Sequence, residues 1–136
     1  MLKKSSNMRN IKRKNKILLI DDELSFLQMY GLKLGRAGFE VQICQNSRDS
    51  LKKIREFKPD IVFLDLVMAK QDGLQVLKKI KATSETKWLP VIMLTNIDNA
   101  ADRQLCSELG ASHYLIKVNM TPGRLVEYTK KILSLV

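Results

Sequence analysis

Five residues with reactive or charged side chains each follow a short apolar run. Asp21 and Asp22 follow ILLI, Asp65 follows IVFL, Thr95 follows VIML, and Lys117 follows YLI. Brought to one place, these groups have a defined chemistry. Two or three crowded carboxylates repel, and some take up protons unless a cation intervenes. Ligation by oxygen alone suits Mg²⁺, which keeps several waters and leaves positions for a phosphate. A carboxylate beside such an ion can act as a nucleophile. A hydroxyl and an ammonium can then bind the phosphoryl oxygens over which negative charge spreads. The set contains the parts for phosphoryl transfer to a carboxylate.

The set works only if the apolar runs are strands ending on one edge. The runs are Ile17–Ile20, Val41–Cys44, Ile61–Leu64, Val91–Leu94 and Tyr114–Ile116. Most are continuous, as in a parallel sheet covered on both faces. Helical spacing lies between them: Leu24, Leu27, Gly31 and Leu34; Leu51, Ile54 and Phe57; Leu74, Leu77 and Ile80; Leu105 and Leu109, a weaker stripe; and Leu125, Tyr128 and Ile132. Gly38 and Gly110 stop helices. Pro59 and Pro90 stand before the third and fourth strands. Thr121 is placed as an N-cap, with Pro122 at the first helical position. Five βα units follow. The predicted fold is α/β: a five-stranded parallel sheet of order 2-1-3-4-5, doubly wound and flavodoxin-like, in three layers. Five units are too few for an eight-fold barrel. In this order strands 1 and 3 flank the switch point, so their carboxylates share the ligand-binding crevice.

Composition narrows the function. The chain has 136 residues and a net charge of +10. Seven of its 24 basic residues lie in positions 1–16, with no acid among them. The expected organisation is a basic, disordered tail over 1–15 and a single domain over 16–136. The tail could supply only weak, non-specific contact with nucleic acid. No apolar run reaches the length of a membrane span, and none of signal-peptide length follows the basic start, so a cytoplasmic protein is expected. Cys44 and Cys106 have no metal-site spacing and are taken as reduced core fillers. A single histidine, His113, argues against a zinc site or a histidine triad and is taken as a strand-entry residue. Trp88, Met68 and Met93 are taken as packing residues.

The motifs ILLIDDE at 17–23, FLDLVM with QDG at 63–73, VIMLT at 91–95 and YLIK at 114–117 resemble the receiver domains of two-component response regulators, such as the bacterial chemotaxis regulator. The resemblance covers about residues 16–135. It implies Asp65 as phosphoacceptor, and Asp22, Asp65 and the Val67 carbonyl as direct Mg²⁺ ligands, with Asp21 acting through water. It implies Thr95 and Tyr114 as a switch pair and Lys117 as the phosphate-binding lysine. It places Val67, Asn96 and Ile97 over the approach to the acceptor. The implied partners are a histidine kinase or histidine phosphotransfer protein, and a downstream protein on the face of the fourth helix, fifth strand and fifth helix. The implied state is a monomer or a phosphorylation-dependent dimer.

Four positions depart from the family pattern. Val118 replaces the usual proline after the lysine, and its peptide bond is expected to be trans. Asn96 replaces a small residue after the threonine. Ala69 and Gln71 replace the usual proline and methionine. The chain ends at Val136, directly after the last helical stretch, which leaves no room for a helix-turn-helix module. A stand-alone phosphoacceptor switch is therefore expected, ahead of a DNA-associated regulator using the tail. The absence of GxGxxG and GxxxxGK[ST] argues against a dinucleotide or P-loop enzyme.

Overall fold

A computed structural model describes residues 13–68 and 72–134. Most of the expected tail and positions 69–71, with Ala69 and Gln71, lie outside the described residues. The strands are β1 (Lys16–Ile20), β2 (Glu40–Cys44), β3 (Ile61–Leu64), β4 (Val91–Thr95) and β5 (His113–Ile116). The helices are α1 (Leu24–Arg36), α2 (Ser50–Phe57), α3 (Gly73–Ala82), α4 (Ala100–Glu108) and α5 (Pro122–Ser134). All strand pairs are parallel, in the order β2-β1-β3-β4-β5. This is the predicted sheet.

Alternate residues of the central strands serve opposite layers. Leu18, Ile20, Val62 and Leu64 pack with Ile54 and Phe57 of α2, Val76, Leu77 and Ile80 of α3, and Cys106 of α4. Ile17, Leu19, Ile61 and Phe63 pack with Leu27, Tyr30 and Leu34 of α1 and with Leu125, Val126 and Ile132 of α5. Every residue of β3 and β4 is buried, which explains their unbroken apolar runs. The edge strands β2 and β5 keep exposed positions.

The local signals hold with three exceptions. Gly38 and Gly110 adopt φ of +102° and +103°, the left-handed region that glycine enters without steric cost. Thr121 Oγ1 accepts the Arg124 amide at 3.2 Å and caps α5. Cys44 and Cys106 are free and buried, and Met68 and Met93 are in the core. Trp88 is not a packing residue: it is 70% exposed, because Leu89 and Thr86 take the interior places of that connection. Leu24 and Leu105 are also exposed rather than core-facing. In α4 the buried position is Cys106, about 100° round the helix from Leu105.

Asp60 anchors the start of β1. Its carboxylate accepts the Lys16 amide at 2.7 Å and pairs with the Arg13 guanidinium at 2.7 Å. Arg13 and Asn15, within the expected tail, thus both contact the domain through Asp60. Burial pushes the Asp60 carboxyl up, but its bonds to Arg13 and the Lys16 amide outweigh this and hold it below the ordinary value. Its stabilising contribution is therefore present above pH of about 4 and is lost as pH falls through the lowered value. Asp60→Ala should cost about 1–3 kcal/mol at neutral pH in urea denaturation, and Arg13→Ala should cost less. The difference between wild type and Asp60→Ala should shrink below pH of about 4. An undiminished difference in acid would exclude the ionised carboxylate as the stabilising group.

Candidate functional site

The C-terminal ends of β1, β3, β4 and β5 deliver the candidate residues to one rim. Asp21, Asp65, Thr95 and Lys117 are all buried, at 6%, 6%, 1% and 4% exposure. One carboxylate oxygen from each of Asp21, Asp22 and Asp65 falls within 4.8 Å of the others. A triad of oxygen donors at that spacing fits a small hard cation. A cavity of about 400 Å³ opens onto Asp22, Asp65, Thr95, Asn96, Ile97 and Lys117.

Backbone bonds orient these side chains. The Glu23 amide donates to Asp21 Oδ1 at 2.9 Å, and the Val67 amide donates to Asp65 Oδ1 at 3.3 Å. The Ile97 amide donates to Thr95 Oγ1 at 3.3 Å. Each bond turns the chain directly after its strand. Val67 is 56% exposed at the rim.

Lys117 reaches across the rim. Its Nζ stands 2.6 Å from Asp21 Oδ2, 3.1 Å from Asp65 Oδ2 and 3.5 Å from Glu23 Oε1. It also lies 4.4 Å from the centroid of the Phe26 ring, whose face attracts a cation. Burial favours the neutral amine, but the bonds to Asp21 and the charge of Asp65 prevail and raise its pKa. Burial is the main cause that raises the Asp21 pKa, and Lys117 opposes it. Lys117 is thus a charged ammonium facing the acceptor candidate, and Asp21 holds it more closely than Asp65 does.

Tyr114 stands beside this cluster, half-buried. Its hydroxyl donates to the Ile97 carbonyl at 2.7 Å, and the Arg103 guanidinium lies 4.9 Å from its ring centroid. Burial pushes its pKa up to about 12. Tyr114 therefore touches the loop after Thr95 rather than the acidic triad.

Three participants are absent from the sequence reading. Phe26 carried no signal, because only its fold position sets its ring beside Lys117. Gly73 stood in the QDG motif without a role. A Cβ there would overlap the Asp65 carbonyl oxygen and lie 2.8 Å from Leu66 Cα. The Gly73 amide donates to the Leu66 carbonyl at 2.7 Å, so α3 begins against the Asp65–Leu66 segment itself. The third is a bond between Asn96 Oδ1 and the Val118 amide, at 3.0 Å. The peptide bonds among the described residues are trans, as expected for Lys117–Val118.

The family model for the response regulator receiver domain matches residues 17–130. The chain belongs to this family. As a receiver domain it is a phosphoacceptor of two-component phosphorelay signalling and not a conventional enzyme. Receiver domains are phosphorylated by histidine kinases. The domain superimposes on chemotaxis protein CheY4 of Vibrio cholerae with a TM-score of 0.81 and 28% identity, over 88% of this chain and 98% of that one. The receiver domain of a DNA-binding response regulator from Colwellia psychrerythraea 34H gives 0.80 and 27%, over 89% and 99%. In sequence, the chain is 36% identical over 102 residues to the alkaline phosphatase synthesis transcriptional regulatory protein PhoP of Bacillus subtilis, covering 75% of this chain. It spans only 42% of the length of PhoP. No helix among the described residues is long and apolar enough to cross a membrane.

Gly73→Ala tests the contact between α3 and the Asp65–Leu66 segment of this receiver domain. The added methyl meets the backbone of Asp65 and Leu66, so the segment must shift. The variant should lose about 1–3 kcal/mol of stability in urea denaturation. A wild-type midpoint would mean that α3 can start elsewhere at no cost.

Proposed function

We propose that residues 16–136 form one phosphorylation switch in which Asp65 accepts a phosphoryl group with Mg²⁺ bound beside it. The observation that carries this is the convergence of Asp21, Asp22 and Asp65 with Lys117 on one strand-end rim. Asp22, Asp65 and the Val67 carbonyl would hold the ion, with Asp21 engaged through water. When bound, Mg²⁺ neutralises charge on the phosphoryl oxygens. An Asp65 carboxylate oxygen forms the new O–P bond. The P–N bond of a phosphohistidine, or the P–O bond of an acyl phosphate, breaks as it forms. The Lys117 ammonium and the Thr95 hydroxyl bind the phosphoryl oxygens. Thr95 is then drawn toward the phosphoryl group, and the segment after it moves with Tyr114, which is bonded to the Ile97 carbonyl. The output is a change in the α4–β5–α5 face, read by a protein partner or by a second receiver.

Incubation with acetyl phosphate and Mg²⁺ should produce an acid-stable, base-labile phosphoprotein. Asp65→Asn or chelation of the metal should abolish it. Equal labelling of Asp65→Asn would exclude Asp65 as the acceptor. Val67 and Ile97 flank the cavity with apolar, β-branched side chains that cannot orient a water. Hydrolysis of the phosphoprotein should accordingly be slow. Val67→Asn with Ile97→Glu should accelerate single-turnover decay, by less than the roughly 10²–10⁴-fold of full acid–base catalysis. Unchanged decay would show that water access at these positions does not limit the lifetime.

A second reading is favoured by the similarity to a transcriptional regulatory protein. In it the receiver controls association with DNA, with the basic positions before residue 16 adding phosphate contacts. Filter binding across salt concentrations separates the two. The tail predicts weak binding that falls steeply with salt and ignores sequence. No retention at low salt would remove this reading.

A further inference from the structure

Backbone pairing of β4 with β5 ends at Thr95 and Ile116. The next residues begin two loops, one directly after Thr95 and one opening with Lys117. Thr95 leads into the loop before α4, and Lys117 opens a short 3₁₀ turn, Lys117–Asn119. Beyond the last backbone pair, the two loops are joined by a side chain. Asn96 Oδ1 accepts the Val118 amide at 3.0 Å and adds one further rung across the two strands.

This rung requires both unusual residues. Proline at 118 would have no N–H to donate. Alanine or glycine at 96 would have no side-chain acceptor to offer. Asn96 and Val118 are the two positions where this chain departs from the family pattern at these loops, and they meet in one hydrogen bond. The two departures are therefore a single compensated feature.

Its location gives it a consequence. Val118 is 77% exposed, so its side chain does little to hold the turn. Apart from the contacts of the Lys117 ammonium with Asp21 and Asp65, the turn is tied by its backbone bond from Met120 to Lys117, by the Tyr30 hydroxyl on the Met120 carbonyl at 2.9 Å, and by Arg124 on the Asn119 carbonyl at 3.2 Å. All of these ties lie at or beyond residue 119 on one partner. Among the described residues, the Asn96 bond is the one that connects Val118 with the loop that follows Thr95.

We propose that Asn96 is a positioning residue for Lys117: its bond to the Val118 amide locks the β4–α4 and β5–α5 loops together and sets the lysine against Asp65. The proposal rests on the reading of Asp65 as acceptor for its effect on phosphorylation, but its structural claim holds in the unphosphorylated protein.

Four variants test it: Asn96→Ala, Val118→Pro, the two combined, and Val118→Ala, which keeps the N–H. Three quantities are measured: hydrogen exchange of the residue-118 amide where one is present, the ¹H–¹⁵N resonance of the Lys117 ammonium, and the rate of labelling by acetyl phosphate with Mg²⁺. Asn96→Ala should release the Val118 amide to rapid exchange and broaden the ammonium resonance. It should slow labelling by roughly two- to tenfold, the range of one hydrogen bond. Val118→Ala should match the wild type. Asn96→Ala should have no further effect once residue 118 is proline. Equal exchange of the Val118 amide with and without Asn96 would overturn the bond. An unchanged ammonium resonance in Asn96→Ala would overturn the positioning. An equal loss of labelling from Asn96→Ala in the proline background would show that Asn96 acts through its bulk at the entrance, and would also overturn the proposal. If the wild type takes no label, the acceptor reading fails alone, and amide exchange and the ammonium resonance still decide the latch.

Discussion

The organisation of the site depends on one buried ammonium held between two buried carboxylates. Lys117 Nζ lies 2.6 Å from Asp21 and 3.1 Å from Asp65, and its side chain is 2% exposed. Removing such charges from water costs several kcal/mol per ion, and only close opposite charge with good geometry offsets it. Taking away either side would leave an uncompensated buried charge. The arrangement also constrains the sheet. β5 lies two strands from β3, a separation of about 10 Å at ordinary strand spacing. A side chain as long as lysine's is therefore needed to span the separation.

The two layers of helices keep that rim in place in different ways. On one face, α1 and α5 bury Leu27, Leu34, Leu125 and Ile132, and Tyr30 reaches from α1 to the Met120 carbonyl. The chain after β5 is thereby tied to the helix that follows the acidic pair. On the other face, α3 starts in backbone contact with the Asp65 segment, a closeness that only glycine at position 73 allows. Displacing the first turn of α3 would displace the acceptor candidate. The end of the sheet that carries the chemistry is thus braced from both layers, while Asp60 closes the opposite end at the start of β1.

Electrostatics and conformational change meet at the loop after β4. Thr95 Oγ1 accepts the Ile97 amide, and the Ile97 carbonyl accepts the Tyr114 hydroxyl. One residue therefore links a group facing the acidic cavity to a ring on the neighbouring strand. A change in charge at Asp65 that altered the Thr95 contact would be felt two residues away, at a hydrogen bond rather than through a long path. Such short, discrete contacts are what a two-state element needs.

Much of this was legible in the sequence, because short-range rules and strand ends decide it. Continuous apolar runs separated by helical stripes determined five parallel strands, and the residue after each run determined which groups reach the rim. Thr121–Pro122, Gly38 and Gly110 placed helix ends correctly, since capping and left-handed turns are local. What one-dimensional pattern could not determine was which neighbour a side chain meets. Trp88 has a packing residue's composition but points outward, because Leu89 occupies the interior place. The α4 stripe put Leu105 inward, and the structure turned Cys106 there instead. Phe26 beside Lys117, the closeness of Gly73 to Asp65 and the bond from Asn96 to Val118 join residues 91, 8 and 22 positions apart. These contacts were decided by tertiary structure, because only the assembled sheet sets the distances and directions between residues on different elements.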